Sequence, residues 1–178
     1  MQPTEEATKA GQRDYFQLFA LPAAFDLDLT ELAERYRLLQ QQFHPDRFSG
    51  GTATEQRVAA QVSAEINAGY TTLRDPVRRA GYLLERLGKE KERLERQPVA
   101  SEFLFKQIEL REALQALPEN DHEARGQLQQ DIKGLFDAEI NAFREHMASE
   151  DVDAASTAWV HLLYLNKLRQ EVGATQYQ

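Results

Sequence analysis

Gln42-Phe43-His44-Pro45-Asp46-Arg47-Phe48 lies between two runs of helical apolar spacing, and its proline decides how those runs are joined. Proline fixes its own φ and disfavours the helical conformation in the residue before it. Phe43 is therefore expected to close a helix, with His44 and Asp46 projecting from a stiffened loop. Upstream, Asp28 stands as N-cap with Glu31 three residues on, the spacing of a capping box with Asp in place of Ser or Thr. Leu29, Leu32, Ala33, Tyr36 and Phe43, with Leu39 at the margin, form the apolar stripe of that helix. Arg35 and Arg37 flank the stripe and Leu38 falls near the opposite side, so the outward face reads as basic with a single leucine. Downstream, Ser49-Gly50-Gly51 reads as a loop, Thr52-Ala53-Thr54-Glu55 as a capping box, and Val58, Val62, Ile66, Tyr70 and Leu73 as the stripe of the next helix. Two long helices joined by a short proline-containing loop must lie antiparallel to bury facing stripes, which puts His44-Pro45-Asp46 at the tip of a hairpin.

The same spacing continues outward in both directions, with no alternating run flanking a hairpin turn, so the chain reads as all-α. Asp14 is placed to cap a short helix through Tyr15, Phe16, Leu18 and Phe19, stopped by Pro22. Asp75-Pro76 ends the helix after the tip, and Val77 to Leu87 makes another, closed by Gly88 at C′. Lys89 to Arg96 has seven charged residues out of eight and is followed by Pro98, the clearest boundary in the chain, and reads as a domain junction or a solvated helical turn. Beyond it, segments from Ser101 (N-cap) to Leu117, about Asp121 to Ala148, and about Asp153 to Val172 are separated by Pro118-Glu119-Asn120 and Ser149-Glu150-Asp151. An antiparallel three-helix bundle is the economical arrangement of these. The expected organisation is a tail over 1–13, a first domain over 14–88, a charged linker over 89–100, a helical domain over 101–172 and a tail over 173–178.

Composition excludes several function classes. There is no cysteine, hence no disulfide, thiolate nucleophile or cysteine-ligated zinc or iron–sulfur site on this chain, which suits a reducing compartment. Met1 to Arg13 lacks an apolar signal core, and no run approaches the ~20 apolar residues that span a bilayer, so a soluble cytoplasmic protein without a membrane partner is expected. The net charge of −8 is unevenly spread: residues 14–88 hold 8 basic and 10 acidic side chains, residues 98–172 hold 7 and 14. Nucleic acid, which needs clustered Lys and Arg, is a poor partner, and the second half favours a basic one.

The helical wheel exposes a second surface. With Phe103 at zero, Leu110, Ala113, Leu114 and Leu117 cluster around it as a core stripe, while Leu104, Phe105 and Ile108 fall roughly 100° to 200° away. Glu109, Arg111 and Glu112 surround those three, giving an apolar patch with a charged rim, the anatomy of a protein-binding surface. On the last helix, with Leu162 at zero, Ala155, Ala158, Leu165 and Val172 lie on the core side and Tyr164 near about 200°, which adds Tyr164 to the patch. The alternative is that these four side chains pack against the first domain.

Catalysis finds no support. His44 and Asp46 flank a proline without a nucleophile, oxyanion cradle or phosphate loop. His122, His146 and His161 share no metal-ligand spacing and read as surface or helix-end residues. Arg78 and Arg79 read either as an acidic-partner site or as solvated charges, and Trp159 as packing at the edge of the last core stripe.

Taken together, Tyr15-Phe16, the basic second helix, His44-Pro45-Asp46 and Ile66-Asn67-Ala68-Gly69-Tyr70-Thr71-Thr72-Leu73-Arg74-Asp75-Pro76 resemble the J domain, the module by which co-chaperones activate DnaK-type chaperones. Arg79-Ala80-Gly81-Tyr82-Leu83-Leu84, and Glu102-Phe103-Leu104-Phe105-Lys106-Gln107-Ile108-Glu109-Leu110-Arg111-Glu112, narrow the likeness to the HscB-type co-chaperones of iron–sulfur cluster biogenesis. The chain has neither the glycine/phenylalanine-rich segment nor the cysteine-repeat zinc domain of general J proteins. The resemblance implies an L-shaped all-α protein, an N-terminal J domain plus a C-terminal three-helix bundle, with no enzyme activity or cofactor of its own. It also implies that His44, Pro45 and Asp46, with Arg35, Arg37 and Arg47 steering, engage an HscA-type chaperone and stimulate its ATPase. Leu104, Phe105, Ile108, Glu109, Arg111, Glu112 and Tyr164 would bind the scaffold protein IscU, the co-chaperone itself being monomeric or weakly self-associating. A helical adaptor without ATPase-stimulating activity is the alternative function.

Overall fold

The computed structural model describes residues 14–118 and 121–174, and within them every regular element is a helix. The expected tail over 1–13, residues 175–178 of the expected tail over 173–178, and Glu119-Asn120 of the first separator lie outside the described residues. The chain divides into two compact units between Gly88 and Lys89.

The first unit holds α1 (Tyr15–Leu18), α2 (Leu29–Phe43), α3 (Ala53–Arg74) and α4 (Pro76–Arg86). Caps fix these boundaries. Asp14 accepts from the Phe16 amide, Asp28 from Thr30 and Glu31, and Asp75 from Arg78, with Pro76 at the first position of α4 where its missing N–H costs nothing. Thr52 and Glu55 form the reciprocal box that the sequence predicts, and the Thr52 amide that Glu55 accepts holds its carboxyl below the usual range. At Asp28 the box is one-sided, because the Glu31 carboxylate pairs with Arg35. Gly88 closes α4 at φ +79.

α2 and α3 pack as the antiparallel hairpin, but two stripe residues are corrected. Leu29, the first residue of α2, and Val58 are exposed, and Ala59 takes the buried position beside Val58. The packing face of α3 is Ala59, Val62, Ile66, Gly69 and Leu73. Tyr36 of α2 stacks on Tyr70 of α3 with centroids 4.0 Å apart, and donates its hydroxyl to Asn67. Gly69 is where α1 comes closest: a Cβ there would lie 2.9 Å from Tyr15 Cδ1 and 3.0 Å from Phe19 Cε2. Gly69→Val is thus expected to destabilise the first unit by about 1–3 kcal/mol through overpacking, read as a lower urea midpoint, and an unchanged midpoint would contradict this packing.

α4 seals the unit with Val77, Ala80, Leu83 and Leu84. Its Tyr82 hydroxyl accepts from the Tyr15 amide (3.0 Å) and donates to Asp14 (3.2 Å), whose other oxygen meets Arg86 at 2.9 Å. Burial, with the Asp14 carboxylate adding to it, pushes the Tyr82 phenol up to about 12, against the pull of the Tyr15 amide and Arg86. A folded-state value raised above the unfolded one gives stability that is complete below about pH 10 and lost as pH rises toward 12. The melting-temperature gap between wild type and Tyr82→Phe should therefore shrink across that range; a constant gap would refute the linkage. Arg79 corrects both sequence readings, an acidic-partner site and a solvated charge: it is buried, donates to the Leu73 carbonyl (2.5 Å) and lies 5.1 Å over the Phe25 ring. Burial pulls its guanidinium below the ordinary arginine range, with Asp26 and Asp75 opposing.

The second unit holds α5 (Lys91–Leu94), α6 (Ser101–Ala116), α7 (His122–Ala148) and α8 (Val152–Ala174). The charged stretch expected as a linker carries α5, whose Leu94 is buried, and Lys89 pairs with Asp153 at 2.6 Å. Ala100 rather than Ser101 is the N-cap of α6, which has no side-chain cap. Asp121 caps α7 through the Ala124 amide, and Asp151 accepts from Ala154 so that α8 starts at Val152; it runs two residues past the expected Val172. Leu110, Leu128, Ile132, Leu168 and Val172 form a core cluster, flanked by Leu114, Leu117 and Leu135. Ala155, Ala158, Leu162 and Leu165 are buried as expected, and so is Trp159. Ala113 is corrected to exposed; Gln107 occupies the core-facing turn instead.

Candidate functional site

The hairpin tip is more structured than a loop. Pro45 not only stops α2; it begins a 3₁₀ turn over Pro45–Phe48, for which His44 is the N-cap. The Asp46 amide donates to His44 Nδ1 at 3.3 Å, so Nδ1 is the accepting nitrogen and Nε2 carries the proton on the outward edge. Arg47 donates to the Gln41 carbonyl at 2.8 Å, the Ser49 hydroxyl to the Asp46 carbonyl at 2.8 Å, and Gln56 of α3 to the carbonyls of Ser49 and Gly51, each at 3.1 Å. These bonds hold the tip to both helices while its side chains stay in water: 52 % of the His44 side chain and 91 % of the Asp46 side chain are exposed.

The arginines divide. Arg37 is exposed on the outer face of α2, one residue from Leu38, and Arg47 sits beside the tip. Arg35 turns inward, donating to the carbonyls of Phe19 (2.7 Å) and Ala20 and pairing with Glu31. Ala20 has φ +50, and the carbonyls of Phe19 and Ala20 around it converge on the Arg35 guanidinium. Arg35 is thus committed to the fold, which wheel position alone does not reveal.

On the second unit, Leu104, Phe105 and Ile108 of α6 and Tyr164 of α8 are 37 %, 70 %, 53 % and 39 % exposed. They are four of the eight large apolar side chains exposed among the described residues, gathered on two helices. Lys106 bridges Glu109 at 3.0 Å, Arg111 meets Glu171 of α8 at 3.5 Å, and Glu112 is exposed, giving the charged rim. Phe103 lies beneath: Tyr164 meets it edge-on at 6.1 Å, and His161 stacks flat on it at 3.8 Å and 8°. His161 is a correction, since it is neither a surface nor a helix-end residue. Its position about 100° from the Leu162 direction is the margin of the stripe, where a wheel does not separate inside from outside. Among the described residues no group of three or more His, Cys, Asp or Glu side chains could hold a metal ion, and no helix is long and apolar enough to cross a membrane.

A short helix, a helical hairpin tipped by His-Pro-Asp and a covering fourth helix make the first unit a J domain, here followed by a helical bundle. Comparison with known proteins agrees. The model of the HSCB C-terminal oligomerisation domain matches residues 99–173. Co-chaperone protein HscB homologs of Neisseria meningitidis are 37% identical over 161 residues, 90% of this chain and 97% of theirs. The structure of chaperone HscB from Vibrio cholerae superposes with a TM-score of 0.84 at 32% identity, covering 92% of this chain and 98% of that one. Human co-chaperone HscB shares the fold, with a TM-score of 0.88 at 24% identity over 97% of this chain and 86% of its own. The chain belongs to the HscB co-chaperone family.

Proposed function

We propose that this co-chaperone stimulates ATP hydrolysis by a DnaK- or HscA-type chaperone through His44, Pro45 and Asp46, with Arg37 and Arg47 steering. In the same reading its α6/α8 face delivers an IscU-type iron–sulfur scaffold, so that it acts in iron–sulfur protein maturation in the cytoplasm without being an enzyme itself. Residues 14–88 would carry the first contact, residues 101–172 the second, and residues 89–100 the connection. One observation carries the reading: a pinned, solvent-facing His-Pro-Asp tip on one compact unit and a clustered apolar face with a charged rim on the other. Two surfaces on one chain raise the local concentration of scaffold at the chaperone, which is how such a protein acts without chemistry of its own.

The test is single-turnover ATP hydrolysis by a purified HscA-type chaperone, with this protein and with or without scaffold. Stimulation, and a further rise with scaffold, is the expected result. Failure to stimulate a chaperone shown to be active sinks the activating role and moves the adaptor reading forward. The description of the matched family model favours one further reading, self-association through the same face, and sedimentation of wild type against Phe105→Ser decides it.

A further inference from the structure

The imidazole of His161 joins all three long helices of the second unit. It projects from α8, its Nδ1 donates to the Glu139 carboxylate of α7 at 3.0 Å, and its face lies flat on Phe103 of α6 at 3.8 Å. Phe103 directly precedes Leu104, so the ring that His161 supports lies on the turn of α6 from which Leu104 and Phe105 project. Phe103 in turn meets the Tyr164 ring in a T-shaped contact, with centroids 6.1 Å apart and 76° between the planes. His161 Nε2 is buried and has no hydrogen-bond partner among the described residues. That is a desolvation cost which a phenylalanine at this position would not carry, so what the site uses is the flat ring stacked on Phe103 rather than the second ring nitrogen.

We infer that His161 is a positioning residue of the scaffold-binding face: acting through the Phe103 ring, it sets the orientation of Tyr164 and the rotation of the first turns of α6. This rests on the reading of that face as the scaffold site. His161 itself is mostly buried and need not touch the partner. Its effect on binding passes through side chains that do, and so depends on Tyr164 being present, while Phe105, the most exposed of the four, should respond independently.

The test is a pair of double-mutant cycles on the dissociation constant for a purified IscU-type scaffold, measured by calorimetry on the full chain, with melting curves to verify folding. Tyr164→Ala and His161→Ala should each weaken binding by about fivefold to tenfold, and the double variant by little more than the worse single one, whereas Phe105→Ala should multiply with His161→Ala. His161→Phe, which keeps a stacked ring and gives up the Glu139 bond, should bind within about twofold of wild type. Full multiplication of the His161→Ala and Tyr164→Ala effects overturns the inference while leaving the scaffold site intact. So does a His161→Phe loss as large as that of His161→Ala, a result also readable if His161→Ala fails to fold, because His161→Phe is then compared with wild type alone. If Tyr164→Ala and Phe105→Ala both bind like wild type, the scaffold reading of this face falls, and the inference with it.

Discussion

His44→Gln is expected to reduce stimulation of the chaperone's single-turnover hydrolysis by at least about tenfold, roughly 1.4 kcal/mol of activation free energy, while leaving the fold intact. The imidazole has two separate duties. Nδ1 accepts the Asp46 amide and so caps the 3₁₀ turn, which leaves Nε2 of a half-exposed ring for a partner. Glutamine can accept the same amide, but its carboxamide N–H sits on a longer, freely rotating chain instead of a rigid ring, so the turn persists and the positioned contact is lost. With half of the side chain in water, little core packing goes with it, and the melting temperature should move by only a degree or two. Scaffold affinity should be unchanged, because that surface belongs to the other unit. Stimulation equal to wild type, with the variant folded, would remove the tip from the mechanism.

Leu104→Ser/Phe105→Ser carries the second large effect: scaffold binding should weaken by about 100-fold, near 2.7 kcal/mol, as expected when two apolar anchors leave one interface. Phe105 is 70 % exposed and Leu104 37 %, so the buried area forfeited within the chain is mainly that of Leu104, and stability should fall by no more than about 1–2 kcal/mol. ATPase stimulation without scaffold should match wild type, and only the additional stimulation by scaffold should disappear. An unaffected dissociation constant would show that the partner uses another face. Loss of stimulation without scaffold would show that the two surfaces are not separable.

Much of this was legible because helices announce themselves locally. Proline after Phe43, the Thr52/Glu55 box, Asp75-Pro76 and Gly88 each act through the backbone of their own turn, and each stands where the residue pattern put it. The α6/α8 face was legible for a related reason. Three apolar residues on the wrong side of a wheel must be exposed or covered by something else, whatever the neighbours are. Leu29 and Val58 show the limit: both fit their stripes, but burial also requires a neighbour packed over that position, and that neighbour is not written in either helix alone.

By itself, then, the sequence determined the all-helical class, the hairpin with His44-Pro45-Asp46 at its tip, and the apolar face of α6, since all of these follow from spacing within one element. The tertiary structure alone decided which polar groups serve the fold. Arg35 gathers the Phe19 and Ala20 carbonyls, Arg79 is buried over Phe25, and His161 lies between Glu139 and Phe103. A charged or aromatic side chain at the edge of a helical stripe is long enough to turn either way. The partner that settles its direction comes from a distant part of the chain, and only packing brings the two together.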